Sequence, residues 1–312
     1  MIKVTIWNEF VQEQLCEETL EKFGFEGMPE DEKKRNFART EEIKKVHPHG
    51  IHQTLKELIE EDEEFKVCHI ATLEMEECGL TETVLDDTDV LVWWSHVAQD
   101  KVPDEIARRV QEYVLRGMGI IFLHSAHISK PMRFLLGTSG TLKWREGDFC
   151  RIWTTQPSHP IAKGIPDSIE LEEEEMYGEF FDIPTPESQV FLSWYSGGEV
   201  FWSGCTWTRG YGRIFYFQPG HETNRSYFNP SIRQIIRNAV RWTAGNQICR
   251  EKLECTHVEI EMKKEKMKVT KRVLEITAKR PQYMTITDLT FLQVDSWFKH
   301  CRRDLRMNIM YP

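Results

Sequence analysis

The sequence lacks the patterns that define several large classes of protein. No apolar run approaches the roughly 20 residues that a membrane span needs, and the N-terminus enters strand-like sequence without the apolar region of a signal peptide. The eight cysteines contain no CxxC pair, which argues against a thiolate zinc site and a disulfide framework. We therefore expect a cytoplasmic protein with reduced cysteines and no membrane partner.

Positive charge is scarce over most of the chain. The formal net charge is −10, although residues 251–312 carry 13 Lys and Arg against 9 Asp and Glu. The acidic excess therefore falls on the first 250 residues, and because Lys and Arg supply most of the affinity for phosphate backbones, we expect no nucleic acid partner. The sequence predicts one domain over residues 1–248 and a basic C-terminal extension over residues 249–312, whose charge runs are typical of a solvated or oligomerisation element.

Short apolar segments alternate with amphipathic ones through the first 250 residues, which predicts an α/β domain. Pro103 and Gly117 bound one helical segment, and its length between two strands implies parallel pairing. Asn229 and Pro230 begin a last helix that ends before Gly245. Six strands are predicted, at residues 3–7, 65–71, 89–94, 118–123, 190–194 and 213–217.

Histidines gather at the ends of these predicted strands. His96, His124 and His221 each follow a strand, and the carboxyl ends of parallel strands share one edge of a sheet. His52 opens a predicted helix, whose dipole disfavours the protonated imidazole. Neutral imidazoles directed at one point suit a divalent metal, zinc or manganese. The predicted metal ligands are therefore His52, His96, His124 and His221.

Two other chemistries compete with the metal hypothesis. Ser125 follows the fourth strand, where an α/β fold can carry a nucleophile, and His221 with Glu222 would supply its base and orienting acid. No GxSxG motif is present, and Ser125 is equally suited to cap the next helix. Aromatic residues in the second half of the chain, together with Trp94, suit stacking on sugars, although core packing explains many of them equally well.

Several ordered segments together resemble one known family. They include VHPHGIH (46–52), DDTDVLVWWSH (86–96), HPIAKGI (159–165) and EEMYGEFFDIP (174–184), together with residues 119–146 and 192–223. In this combination the sequence resembles the ThuA (trehalose utilisation) family, whose members are similar in fold to class I glutamine amidotransferases. The resemblance implies a flavodoxin-like, amidotransferase-like parallel sheet with helices on both faces, and a role in bacterial carbohydrate catabolism.

The resemblance also implies which side chains form the site. The amidotransferases carry a cysteine at the elbow where His124, Ser125 and Ala126 stand here, so glutamine hydrolysis is not expected. The sequence departs from the family pattern at Gln99, where a histidine is expected, and at Trp202, where an arginine is expected. The catalytic residues implied by the resemblance are Glu175, Glu179, His221 and Glu222. The predicted substrate-binding residues are His127 and Tyr177, which the resemblance implies, together with Trp94, Ser125 and Trp202.

Three functional hypotheses follow. The first is a metal-assisted hydrolase, lyase or isomerase of a glycoside or keto-sugar, in which Glu175 or Glu179 transfers a proton. The second is a non-catalytic sugar-binding or regulatory protein that retains an amidotransferase-like pocket. The third is metal-independent chemistry at Ser125. All three predict a small-molecule sugar as partner, and exposed sheet edges make a homo-oligomer plausible.

Overall fold

Nine strands form a single sheet in the computed structural model, which describes residues 1–245 and His257. All six predicted strands are present among them. The strands are β1 (Ile2–Asn8), β2 (Phe65–Thr72), β3 (Val90–Trp94), β4 (Gly119–Leu123), β5 (Lys143–Thr154), β6 (Ser168–Gly178), β7 (Ser188–Tyr195), β8 (Val200–Arg209) and β9 (Gly212–Phe217).

Five strands form the parallel half of the sheet, in the order β2-β1-β3-β4-β9. Every residue of β3 and β4 is buried, which explains why their sequences, VLVWW and GIIFL, are apolar without alternation. In the register of this half, Val92 lies between Ile6 and Ile121. The predicted α/β class is confirmed.

The other half of the sheet is antiparallel and extends the predicted parallel part. It continues from β9 in the order β8-β7-β5-β6, and β5, β6 and β8 were not predicted from the sequence. Gly198 and Gly210 adopt φ values of 90° and 58° in the short connections that join β7 to β8 and β8 to β9. Such connections need no crossover helix, so strands joined by them pair antiparallel.

The helices form two packing groups beside the parallel strands. α3 and α7 pack against each other, α3 also packs on β1 and β2, and α7 packs on β4 and β9, whereas α5 packs against α6. The helices are α1 (Leu20–Phe23), α2 (Glu30–Val46), α3 (Ile51–Ile59), α4 (Glu82–Asp86), α5 (Asp104–Leu115), α6 (Lys130–Leu136) and α7 (Pro230–Thr243).

The start of α7 follows the sequence prediction. The Asn229 side chain accepts hydrogen bonds from the backbone N–H groups of Ser231 (2.9 Å) and Ile232 (3.4 Å), and Pro230 occupies the first helical position. The end of α7 approaches β4 closely, because a Cβ at Gly119 would lie 2.4 Å from the carbonyl oxygen of Thr243. Only glycine fits at this contact.

The antiparallel half curls back over the carboxyl edge of the parallel half. β6 is four places from β9 in the sheet, a separation of about 19 Å if the sheet were flat. Nevertheless, Gln218, directly after β9, donates from Nε2 to the Glu175 carbonyl oxygen of β6 across 2.9 Å. This curl brings β6 to the loops that follow β3, β4 and β9.

Among the described residues, no helix combines the length and apolar character needed to cross a membrane. The predicted domain boundary at residue 248 and the predicted basic extension over residues 249–312 lie outside the described residues, apart from His257.

Candidate metal centre

Three histidines and two carboxylates converge where β6 meets the carboxyl edge of the parallel strands. His96 Nδ1 lies 3.1 Å from Glu222 Oε2, His124 Nε2 lies 3.1 Å from Glu175 Oε2, and His221 Nε2 lies 3.5 Å from Glu222 Oε1. These residues form two overlapping groups of possible ligands, and the ligand atoms within each group lie within 4.8 Å of one another. Three of the four predicted metal ligands are therefore together.

His124 is shared by both groups and its ring is held firmly. The residue directly follows β4 with φ at 53°, a left-handed conformation that costs a non-glycine residue about 1–3 kcal/mol. Nδ1 donates to the Gln218 carbonyl oxygen across 3.0 Å, which leaves Nε2 to face Glu175. Trp94 and Tyr177 lie nearly parallel to the imidazole, with ring centroids 6.5 and 5.4 Å away.

Several polar atoms that face one another in the centre lack hydrogen-bond partners. Within the part of the chain that the structure describes, five buried atoms of the centre have no partner at hydrogen-bonding geometry: His124 Nε2, His221 Nε2, Glu175 Oε2 and both carboxylate oxygens of Glu222. Buried polar atoms are rarely left in this condition, and a bound ion would supply the partner that each of them lacks. Imidazole nitrogens and carboxylate oxygens are ligands that zinc accepts, so this donor set fits a divalent cation.

The electrostatics of the centre favour the charged forms of Glu175 and His96 despite burial. Burial opposes ionisation of Glu175, but the contact with His124 and the charges of His221 and His96 lower its pKa to about 2. Burial likewise opposes protonation of His96, but Glu222 raises the pKa of His96 to about 9. The carboxylates of Glu175 and Glu222 thus attract positive charge. Either protons on the histidines or a bound cation can supply that charge.

Glu174 holds the loop that carries the His221 and Glu222 side chains. Its carboxylate accepts five hydrogen bonds, from the backbone N–H groups of Glu175 (2.9 Å), Gly220 (2.9 Å) and His221 (3.2 Å), and from the Asn224 amide (3.3 Å) and the Ser226 hydroxyl (2.6 Å). It is fully buried. No sequence pattern separates Glu174 from its acidic neighbours, so this residue was not predicted.

Glu9 and Gln12 support the loop after β3 and were also missed. The buried Glu9 carboxylate accepts hydrogen bonds from the backbone N–H groups of His96 (3.1 Å) and Val97 (2.9 Å). Gln12 Oε1 lies 3.0 Å from His96 Nδ1. Gln99, at the position where a histidine was expected, donates to the carbonyl oxygens of His96 (3.0 Å) and Ser125 (2.9 Å). Gln99 therefore holds the main chain at His96 and Ser125 in place.

Two predicted site residues lie apart from the cluster. His52 is in the first turn of α3 as expected, but its Nδ1 lies 3.1 Å from Asn8 Nδ2 and its ring packs against Phe10. The structure does not place it in either ligand group. Glu179 accepts hydrogen bonds from the backbone N–H groups of Phe181 (2.9 Å) and Trp202 (3.1 Å), so it fixes main chain beside β8.

The predicted substrate-binding residues divide into two sets. Ser125 Oγ lies 2.7 Å from Tyr177 Oη, and Trp94 donates from Nε1 to the Gly220 carbonyl oxygen across 3.2 Å. These three residues border the cluster. His127 instead donates from Nδ1 to the Gly140 carbonyl oxygen across 2.6 Å, and the half-buried Trp202 packs against the core. Ser125 pairs with a phenol and not with a histidine, which disfavours the nucleophile hypothesis.

The architecture is that of an α/β protein built on one mixed sheet, and comparison with known proteins defines the family within that class. The family described as ThuA, trehalose utilisation, matches residues 32–243, and the chain belongs to this family. Its structure is similar to a ThuA-like protein from Parabacteroides merdae, with 15% identity, a TM-score of 0.53, and coverage of 80% of this chain and 91% of that chain.

Two further structures are similar over comparable lengths. A ThuA-like protein from Bacteroides uniformis has 16% identity and a TM-score of 0.47, and covers 78% of this chain and 91% of its own. A glutamine amidotransferase from Thermotoga maritima has 9% identity and a TM-score of 0.42, and covers 78% of this chain and 99% of its own. No curated protein matches the sequence.

Proposed function

We propose that this protein is a metal-dependent enzyme that acts on a glycoside or keto-sugar as a hydrolase, lyase or isomerase. The observation that carries the proposal is the convergence of five buried ligand atoms on His124, His221, Glu175 and Glu222 that have no partner at hydrogen-bonding geometry. The family description, trehalose utilisation, supports a carbohydrate as substrate. A fold alone fixes no activity, so the proposal rests on the site.

The proposed ion is held by ligands from His96, His124, His221, Glu175 and Glu222. Bound there, a divalent ion would polarise a substrate carbonyl or lower the pKa of a bound water. Because Nδ1 of His124 is occupied by the Gln218 carbonyl, His124 has one nitrogen left, and one imidazole nitrogen binds one ion. Since both ligand groups need His124, we expect a single ion per chain.

The other side chains at the site bind and orient. Burial raises the pKa of Tyr177 well above its usual value, so its hydroxyl stays protonated and pairs with Ser125. Both hydroxyls are suited to hydrogen bonding with a sugar. Whichever of the Glu175 and Glu222 carboxylates keeps an oxygen free of the ion would accept the proton that the reaction releases.

Metal uptake and turnover test this proposal together. Protein dialysed against a chelator, then titrated calorimetrically with Zn²⁺ or Mn²⁺, is expected to bind one ion per chain. A Glu175→Gln, Glu222→Gln double variant is expected to bind none, because amides are poor ligands. Disaccharides and keto-sugars are then screened for turnover that the chelator abolishes. An unmodified protein that takes up neither ion would overturn the proposal.

A non-catalytic sugar-binding protein is the second candidate. The observation that favours it is the position of Ser125, whose hydroxyl is paired with Tyr177 and has no base within hydrogen-bonding distance among the described residues. This function predicts saturable sugar binding without turnover, and binding that is unchanged after dialysis against a chelator.

A further inference from the structure

Arg39 of α2 is a cation beside the centre that the proposed function does not use. Its guanidinium donates from Nη2 to Glu146 of β5, and this is its one hydrogen bond to any residue that the structure describes. A guanidinium has five N–H donors, so most of the Arg39 donors are free for another acceptor. The Arg39 side chain is 29% exposed, and Glu146 is 57% exposed.

The β5–β6 pairing places Arg39 on the Glu175 side of the centre. Arg145 pairs with Met176 and Asp148 pairs with Glu174, so Glu146 lies beside Glu175 at the irregularity between these pairs. Arg39 bonds Glu146 and is thereby held next to this part of β6.

A second chain of contacts ties α2 to the His96 side. Thr40, adjacent to Arg39, donates to the Gln12 carbonyl oxygen across 2.7 Å, and the Gln12 side chain lies 3.0 Å from His96. Helix α2 is therefore tied to both sides of the cluster, through Arg39 to β5 and through Thr40 to Gln12. The pKa of Arg39 agrees with this placement, because burial lowers it but Glu146, Glu222 and Glu175 together raise it above its usual value.

Trp144 provides an apolar surface at the same place. It pairs with Tyr177 across β5 and β6, and directly opposed residues of an antiparallel pair project on the same face. Tyr177 is buried against His124, whereas Trp144 is 62% exposed. An exposed aromatic ring on the strand whose Glu146 holds the Arg39 guanidinium suits a ligand that has both a ring and an anionic oxygen.

We propose that Arg39 binds an anionic oxygen of the substrate, a carboxylate or a phosphate, and that the substrate is therefore an acidic sugar. This inference rests on the proposed function, because it names the substrate class of the same site. Arg39 acts as a specificity-determining residue, and its forked donors match a carboxylate or phosphate in two-point contact.

Binding of charged and neutral sugars by the full chain tests the inference. D-glucuronate, D-glucose 6-phosphate and D-glucose are titrated calorimetrically into the protein, into Arg39→Met and into Arg39→Lys. The unmodified protein is expected to bind one of the two acidic sugars at least about ten-fold more tightly than glucose, the gain typical of a charge-assisted contact. The two acidic probes distinguish a carboxylate from a phosphate as the preferred group.

Arg39→Met is expected to abolish the preference while glucose affinity and metal stoichiometry stay unchanged, and Arg39→Lys is expected to retain part of it. Arg35→Met is the matched control, since Arg35 lies one turn away on α2, pairs with Asp31, and is 69% exposed. It should keep the full preference. A preference that is missing from the unmodified protein, or that survives in Arg39→Met, would overturn the inference.

Failure of the proposed function gives a different result. If the protein takes up no metal, the metal-dependent activity is overturned, whereas the difference in acidic-sugar affinity between the protein and Arg39→Met still decides the role of Arg39. Melting temperatures of the variants show whether a lost preference reflects a lost fold.

Discussion

His124 donates its Nδ1 proton to the Gln218 carbonyl oxygen across 3.0 Å, and this bond determines which nitrogen faces Glu175. The bond joins the residue after β4 to the residue after β9, the two neighbouring parallel strands at the site. A carbonyl oxygen can only accept, so Nε2 is the nitrogen left with a lone pair while the ring is neutral. Backbone contacts of this kind orient histidine ligands in metal sites.

Replacing His124 should remove the metal. His124→Asn keeps a residue type that tolerates the left-handed backbone but withdraws the imidazole from both ligand groups. We expect metal affinity to fall at least about 100-fold, more than loss of a supporting group costs. His52→Gln, a change outside either group, should leave affinity within about two-fold of the unmodified protein. Calorimetric titration measures the metal affinity of both variants. A loss in His52→Gln that exceeds this two-fold limit would show that the ligand set is wrong.

Replacing Glu174 should disturb the centre without removing a ligand. Glu174→Gln presents one acceptor oxygen and an NH₂ group to five donors, so we expect the free energy of unfolding to fall by about 2–3 kcal/mol. Metal affinity should fall about 10–100-fold, because the His221 loop loses its support. Urea unfolding and calorimetry measure the two effects. Glu173→Gln, an exposed neighbour on β6, is the control, and equal behaviour of the two variants would refute this role.

His47 should make stability depend on pH. It is 1% exposed, its Nδ1 lies 2.9 Å from Thr54 Oγ1, and burial lowers its pKa to about 4. Between pH 6.5 and 4 the unfolded chain takes up a proton at His47 that the folded chain does not. The His47 contribution to stability is therefore present above pH 6.5 and is lost, up to about 3 kcal/mol, as the pH falls to 4.

Urea unfolding at several pH values checks the His47 prediction. His47→Gln should show a flatter decline of unfolding free energy from pH 6.5 to pH 4 than the unmodified protein. His49→Gln, two residues away and exposed, should follow the unmodified protein. Parallel curves for the protein and His47→Gln would mean that this histidine does not titrate as described.

Trp144 should contribute to sugar affinity independently of charge. Trp144→Ala removes an exposed ring beside Tyr177, and we expect affinity for both glucose and glucuronate to fall about 3- to 10-fold, the range for an aromatic contact. Trp153→Ala removes another exposed ring at the far end of β5 and should change neither affinity. Metal stoichiometry should be the same in both. A loss confined to glucuronate would instead assign Trp144 to the anionic group.

Local signals determined what could be predicted from the sequence. The cap at Asn229 and the fully apolar strands β3 and β4 depend on neighbouring residues, and their prediction is confirmed. The position of histidines after strands is also a local signal, which is why His96, His124 and His221 were predicted to meet. Their meeting follows from parallel pairing alone.

Long-range packing determined what was missed. Glu172, Glu173 and Glu174 are identical in type and adjacent, yet two are exposed and Glu174 is fully buried, because only Glu174 meets the N–H groups of the 220–226 loop. The curl of β6 over β9 decides this, and it has no local pattern. His52 shows the same limit, since its place in α3 was predicted but its direction toward Asn8 was not.

The curl of the antiparallel strands also bears on how the protein folds. The five side chains of the centre come from segments that are far apart in the chain, so contacts among them close long loops and form late relative to hairpins such as β8–β9. The proposed ion would then find no prepared site on the nascent chain and would not guide its early collapse. It would instead slow unfolding, because the ligands from β6 and from the loops after β3, β4 and β9 must separate when the protein unfolds.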